Sequence, residues 1–141
     1  MRASKIASAA ALLGGVAWLT EVALVWANGG DHSDGPPGVV HLIGIVVLAI
    51  ALLAAGYATV ATAPVWLRAV VSVAVLLLGW IIYASIDTAA RGASDGGGWL
   101  GDELGVLICA VVAVVAGGLG LARSRSAPPA PQRAGGHRAT R

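Results

Sequence analysis

The chain has 141 residues, of which 57% are hydrophobic and only 11% are charged, and its net charge is +2. A soluble domain carries about 25% charged residues, so this chain has too few charges to cover its apolar surface in water. The composition excludes an ordinary soluble domain and predicts that lipid solvates most of the surface. The basic residues form no stripe of the kind that binds nucleic acid, so no nucleic-acid partner is expected.

Four apolar runs follow one another along the chain, and each approaches or exceeds the roughly 20 residues that a membrane-spanning helix needs. They predict spans at about residues 6–27, 39–62, 65–86 and 104–122. The runs are continuous rather than alternating, which argues against the strands of a membrane barrel. The predicted fold class is an all-α integral membrane protein, with a four-helix transmembrane bundle in residues 1–122.

The segments between the runs are polar and rich in turn-forming residues. Residues 28–38 read NGGDHSDGPPG, residues 62–64 form a tight join that ends in Pro64, and residues 87–103 predict a longer loop. Residues 123–141 are rich in Pro, Gly, Ala and Arg and cannot bury a core, so they predict a disordered basic tail.

The charges are sorted in a way that predicts the orientation of the bundle. Lys and Arg accumulate on the cytoplasmic side of membrane proteins, and eight of the nine here fall on one side of a four-span arrangement. Six of the seven acidic residues fall in the two loops on the other side. We therefore expect a cell-membrane protein with both termini in the cytoplasm, and the Arg-, Ala- and Gly-rich composition favours a bacterial source.

The first run permits a second interpretation, as a signal peptide. Basic residues precede it, and Val25-Trp26-Ala27 ends it with the small residues of a cleavage site. The length of the run and the presence of Glu21 favour a retained helix. Cleavage would leave three spans without changing the sides of the remaining loops.

Small residues recur on one face of each predicted helix, which predicts close helix packing or, alternatively, self-association. The first helix carries Glu21 on such a face. The four sets are Ala7, Ala10, Gly14, Ala17 and Glu21; His41, Gly44, Leu48, Ala51, Ala55 and Ala58; Ser72, Leu76, Gly79, Tyr83 and Asp87; and Ala113, Ala116, Gly117 and Gly120.

Glu21 is the acidic residue that lies inside a predicted span. A carboxylate there costs roughly 2.5–3.5 kcal/mol on insertion scales, so it normally faces the bundle interior and has a partner. His41, Tyr83 and Asp87 lie at a similar depth on the second and third helices. We therefore predict a polar intramembrane cluster of Glu21, His41, Tyr83 and Asp87.

Three roles remain open for this cluster. The first role is a structural clamp that fixes the helices, the second is a proton-linked carboxylate in a small transporter, and the third is part of a cation site. The cation site would use Asp31, His32 and Asp34, with His41 or Glu21, because His and Asp ligate several divalent ions.

The tripeptide Thr20-Glu21-Val22 resembles the first span of the small multidrug resistance transporters, which are four-span proteins of similar size with an essential acidic residue there. The resemblance covers these few residues. The long outer loops and the basic tail depart from that family, and its aromatic pattern is absent from the later helices. For Glu21 the resemblance implies a proton and cation site.

No nucleophile elbow, metalloprotease, dithiol or phosphate-loop motif is present in the sequence, and no cofactor is expected. The sequence therefore favours a non-enzymatic accessory or assembly subunit of a membrane complex. Its expected partners are the lipid bilayer and other membrane subunits or a second copy. The alternative is a small oligomeric proton-coupled transporter that uses Glu21, and the third interpretation is an integral membrane enzyme or a cation-binding protein.

Overall fold

The computed structural model describes residues 2–30, 35–93 and 98–126, and within them it contains four α-helices. These are α1 (Arg2–Ala27), α2 (Pro36–Thr59), α3 (Val65–Ala93) and α4 (Trp99–Ser126). Each helix is long and apolar enough to cross a membrane. The prediction of four apolar helices is confirmed.

A local backbone motif ends α1. Gly29 has a φ of 71°, its N–H donates to the carbonyl of Trp26, and the N–H of Gly30 donates to the carbonyl of Val25. This pair of bonds is the Schellman arrangement, which favours glycine because it needs a left-handed residue just beyond the helix. The Asn28-Gly29-Gly30 sequence thus stops α1 shortly after Glu21.

Proline marks the start of the next two helices. Pro36 and Pro37 stand in the first turn of α2, and Pro64 directly precedes α3. Proline is tolerated there because the first N–H groups of a helix have no intrahelical acceptor. The carbonyl of Pro64 also accepts a hydrogen bond from the N–H of Arg68.

The third and fourth helices are longer than the sequence predicts. α3 continues to Ala93 and α4 begins at Trp99, so much of the predicted loop 87–103 is helical, including Asp87 and Glu103. Arg91 pairs with Asp87 one turn earlier, a spacing that supports a helix.

At its far end α4 continues to Ser126, so residues 123–126 of the predicted tail are helical. Arg123 and Arg125 lie in the last turn, where positive charge is favourable beside the helix dipole. The rest of the predicted tail lies outside the described residues.

The four helices form an antiparallel bundle in which α1 packs on α2 and α4, and α3 packs on the same two helices from the opposite corner. The end that carries the α1–α2 and α3–α4 connections is called the loop end below. The other end, with the α2–α3 turn, is called the turn end.

Glycines on the predicted small-residue faces set these contacts. A Cβ on Gly14 would meet Leu48 of α2, and one on Gly117 would meet the backbone of Leu12 in α1. Gly56 was not on the predicted face of the second helix, but a Cβ there would likewise meet the backbone of Ser72 in α3. Gly117 of the fourth helix therefore serves a contact within the chain.

The outer surface of the bundle is apolar. Many large aliphatic side chains and several tryptophans are 40–74% exposed, and they are spread over all four helices. The buried core is small and centres on Trp18, Val106 and Ala110. Such a surface is compatible with a multi-pass transmembrane protein, because lipid can cover it.

Candidate functional site

The central feature of the bundle is an ion-pair contact between α1 and α2. Nδ1 of His41 lies 2.8 Å from Oε2 of Glu21, and the Glu21 residue is only 5% exposed. The two atoms are within hydrogen-bond distance, and an ionised carboxylate would accept this bond from the imidazole N–H. The Schellman motif after Ala27 and the proline start of α2 bring these two side chains to the same level.

Trp18 covers this pair on the side of the core. Its indole stacks on the His41 ring with centroids 5.8 Å apart, and its Nε1–H donates to the His41 carbonyl at 3.3 Å. Gly44 makes room for the indole, because a Cβ there would overlap Cδ1 of Trp18. The imidazole is therefore held from two directions.

Tyr83 joins the site through its ring. The ring lies 5.2 Å from that of Trp18, across the bundle, and 5.7 Å from that of Trp80. The sequence places Tyr83 at the depth of Glu21 and His41, and the structure brings all three to one cavity.

Asp87 lies one turn beyond Tyr83 and takes part in a bridge between α3 and α4. Its Oδ2 accepts a hydrogen bond from Nε of Arg91 at 3.0 Å, and Nη1 of Arg91 lies 3.5 Å from Oδ1 of Asp102. Gly105 permits this approach, since a Cβ there would lie 2.7 Å from the Asp87 Cα. Arg91 thus compensates Asp87 and Asp102 at the loop end.

These groups surround a polar cavity of about 440 Å³ at the loop end, called the polar cavity below. All four helices contribute to its wall. The ionisable residues that line it are Glu21, His41, Tyr83, Arg91, Asp102 and Glu103. Chemically, the carboxylate–imidazole pair can hold a proton between two atoms, and the cavity can admit a small polar or charged group.

Four residues of the site were not among those predicted: Trp18, Arg91, Asp102 and Glu103. Glu103 is 4% exposed, although the sequence placed it in an outer loop. The sequence does contain a pattern that indicates burial of Glu103. A spacing of three and four residues extends the small-residue face of α4 toward its N-terminus, through Glu103, Val106, Ala110, Ala113 and Gly117. Because the predicted span began at residue 104, Glu103 was not counted as part of that face. No pattern in the sequence indicates the contact of Trp18 with His41.

The weak metal candidates Asp31, His32 and Asp34 lie outside the described residues. Within the described ranges, no group of three or more His, Cys, Asp and Glu side chains is arranged to hold a metal ion.

Comparison of the chain with protein-family models, with curated proteins and with solved structures finds no match. The likeness to the small multidrug resistance transporters therefore rests on Thr20-Glu21-Val22 alone.

Proposed function

We propose that the protein is a multi-pass protein of the cell membrane with the turn end and both termini in the cytoplasm. The exposed apolar side chains of all four helices support insertion. The orientation is supported by the basic residues of the turn end, since Lys5, Arg68, Arg123 and Arg125 all belong to it.

Within that membrane, we propose that the bundle acts as a non-enzymatic accessory or assembly subunit of a larger complex. One observation carries this proposal. Glu21 is engaged by His41, and the His41 ring is fixed in turn by Trp18. A carboxylate held in this way clamps α1 to α2 and gives the bundle one defined helix arrangement, as a subunit that must present a constant surface requires.

Purification from membranes in a mild detergent, followed by mass spectrometry, tests this role. We expect a stoichiometric membrane partner to accompany the tagged full-length chain. The control is an unrelated tagged membrane protein of similar size and expression level, which should not retain that partner. Recovery of the chain alone, at the same level of contaminants as the control, would overturn the proposal.

A second function, a small oligomeric proton-coupled transporter, is favoured by one specific observation. Glu21 borders the polar cavity while being almost fully buried, an environment typical of carboxylates that bind and release protons. In proteoliposomes, Glu21→Gln should then abolish a proton-driven flux while Thr20→Ala, on the exposed neighbouring residue, leaves it intact. Equal flux in both variants would exclude the function.

A further inference from the structure

A second cavity lies among the middle turns of the four helices, and it is called the apolar cleft below. It has a volume of about 340 Å³, and its lining residues fall within 11–18, 45–52, 76–86 and 109–116. Among the described residues, no Asp, Glu, Lys, Arg or His side chain lines this cleft. A charged ligand would lose its hydration there without gaining a charged partner, so the cleft suits an apolar ligand.

Close contacts hold α3 to its neighbours above and below the cleft. Toward the turn end, a Cβ on Gly56 of α2 would lie 2.6 Å from the Cα of Ser72. At the loop end, a Cβ on Gly105 of α4 would lie 2.7 Å from the Cα of Asp87. The part of α3 that lines the cleft lies between Ser72 and Asp87. The backbone of α3 is therefore held near both ends, while its middle borders a gap in the bundle.

The apolar cleft has a buried floor and an exposed mouth. Trp18 of α1 and Ala51 of α2 line it and are each only 5% exposed, so they form its floor. Trp80 and Ile82 of α3 and Val112 of α4 also line it, and each of these three is at least half exposed. The mouth therefore lies on the side of α3 and α4, where the surroundings of the bundle begin.

The dimensions of the apolar cleft fit one hydrocarbon chain. Its wall on α3 runs from Leu76 to Ile86, which is roughly 15 Å at about 1.5 Å per residue. A dry apolar cavity of about 150 Å³ holds one benzene molecule, so the cleft has room for roughly a dozen carbon atoms. Spread along this wall, its volume is only about 5 Å wide. One chain fits in such a space, and two chains side by side do not.

An empty cleft of this size would destabilise the bundle, because its lining side chains would lose contact partners in proportion to its volume. Water does not fill such a space, since each buried water molecule needs several polar partners and apolar cavities stay dry. The indole N–H of Trp18 is already engaged, because it donates to the His41 carbonyl. In a bilayer the material at the mouth is hydrocarbon, so an acyl chain is the occupant within reach.

We propose that the apolar cleft binds one acyl chain of a bilayer lipid, which enters between α3 and α4 and packs on Trp18. The chain fills the gap beside the middle of α3 and completes the packing of that helix on the bundle. The lipid headgroup stays outside the cleft, so lipids with different headgroups bind alike. The proposal depends on insertion into a bilayer and is independent of the accessory role.

Quenching of tryptophan fluorescence by lipids brominated at the middle of their acyl chains tests this proposal. The full chain is reconstituted into phosphatidylcholine bilayers, either brominated or unbrominated. It keeps Trp18 as its only tryptophan through the changes Trp26→Phe, Trp66→Phe, Trp80→Phe and Trp99→Phe. We expect Trp18 to lose most of its emission in the brominated bilayer, although this residue is only 5% exposed. Brominated phosphatidylglycerol should give the same loss.

A matched pair of variants in the chain with Trp18 alone tests the mouth of the cleft. Val112→Phe adds bulk at the mouth, whereas Val111→Phe adds the same bulk at a neighbour that does not line the cleft. Both valines are exposed, so neither change crowds the core. The first variant should keep most of its Trp18 emission in the brominated bilayer, and the second should lose it. Equal helix content by circular dichroism shows that both variants fold.

A chain that keeps only Trp80, which is 53% exposed, is the control for insertion and should be quenched by the brominated lipid. Quenching of Trp80 without quenching of Trp18 would overturn the proposal while leaving insertion intact. Equal quenching of Trp18 in the Val111→Phe and Val112→Phe variants would also overturn it, because the quenching lipid would then lie outside the cleft. Emission from both tryptophans that bromine leaves unchanged would overturn insertion and the acyl-chain site together.

Discussion

At the residue scale, the Glu21–His41 contact gives a buried carboxyl group a partner inside an otherwise apolar bundle. The carboxylate is compensated by an imidazole, and the imidazole is fixed by Trp18 through stacking and a hydrogen bond. Removing one partner of a buried pair typically costs about 3–5 kcal/mol, because the other charge stays buried alone. Replacing both partners lowers the free energy of unfolding by less, because no unpaired group stays buried.

This asymmetry gives a testable double-mutant cycle. We expect His41→Ala to lower the free energy of unfolding by roughly 3 kcal/mol, and Glu21→Gln combined with His41→Ala to lower it by less than His41→Ala alone. Reversible unfolding in detergent gives the free energy of unfolding of the wild type, the single variants and the double variant. Thr20→Ala on the exposed side of α1 serves as the control and should change stability by less than about 0.5 kcal/mol. Losses that simply add up in the double variant would contradict a coupled pair.

At the element scale, adjacent glycines of α4 have opposite surroundings. A Cβ on Gly117 would lie 2.5 Å from the backbone nitrogen of Leu12 and 2.7 Å from the Ser8 carbonyl oxygen, whereas a Cβ on Gly118 meets nothing within 4 Å. The first contact is with backbone and cannot be relieved by a side-chain rotation. Close packing of α1 on α4 therefore depends on Gly117 and not on its neighbour.

Gly117→Ala should accordingly separate the two helices and cost about 1–3 kcal/mol, the range typical of overpacking. Gly118→Ala should be neutral or stabilise the protein slightly, because alanine favours a helix by up to about 1 kcal/mol over glycine. Melting temperatures of the two variants in one detergent provide the comparison. Equal melting temperatures would contradict the close approach.

The sequence predicted the presence of the helices better than the residues at which they end. The error at the start of α4 explains why Glu103 was not predicted as a site residue. Apolar runs located the four helices because length and composition decide whether a segment can cross a bilayer. Asp87 and Glu103 were assigned to the loop at residues 87–103 because they are charged. In the structure both are helical: Asp87 pairs with Arg91 one turn away, and Glu103 lies on the inward face of α4. The placement of Glu21 and His41 at one depth followed from helix geometry, whereas the Trp18 contact depends on side-chain packing.

At the scale of the whole molecule, the fold separates two chemically different ends. The loop end carries the polar cavity and the Asp87–Arg91–Asp102 bridge. At the turn end, Arg68 donates to the carbonyl of Ala63 and to Tyr57 Oη. This asymmetry is the basis for the proposed orientation.

Cysteine labelling checks that orientation. In a Cys109→Ser background, Asn28→Cys at the loop end should react with a membrane-impermeant maleimide in intact cells. Thr62→Cys at the turn end should react only after the membrane is permeabilised. Reaction of Thr62→Cys in intact cells, with protection of Asn28→Cys, would reverse the proposed topology.

The position of α1 between α2 and α4 has a consequence for biosynthesis. Its contact with α2 joins residues about twenty apart, such as Glu21 and His41, so both sides of that contact are made early. Its contact with α4 joins Leu12 to Gly117, and at about 5–20 residues per second the ribosome needs roughly 5–20 s to make the chain between them. During that interval the α4-facing side of α1 lacks its native packing partner, so the α1–α4 contact can close only after α4 has been made.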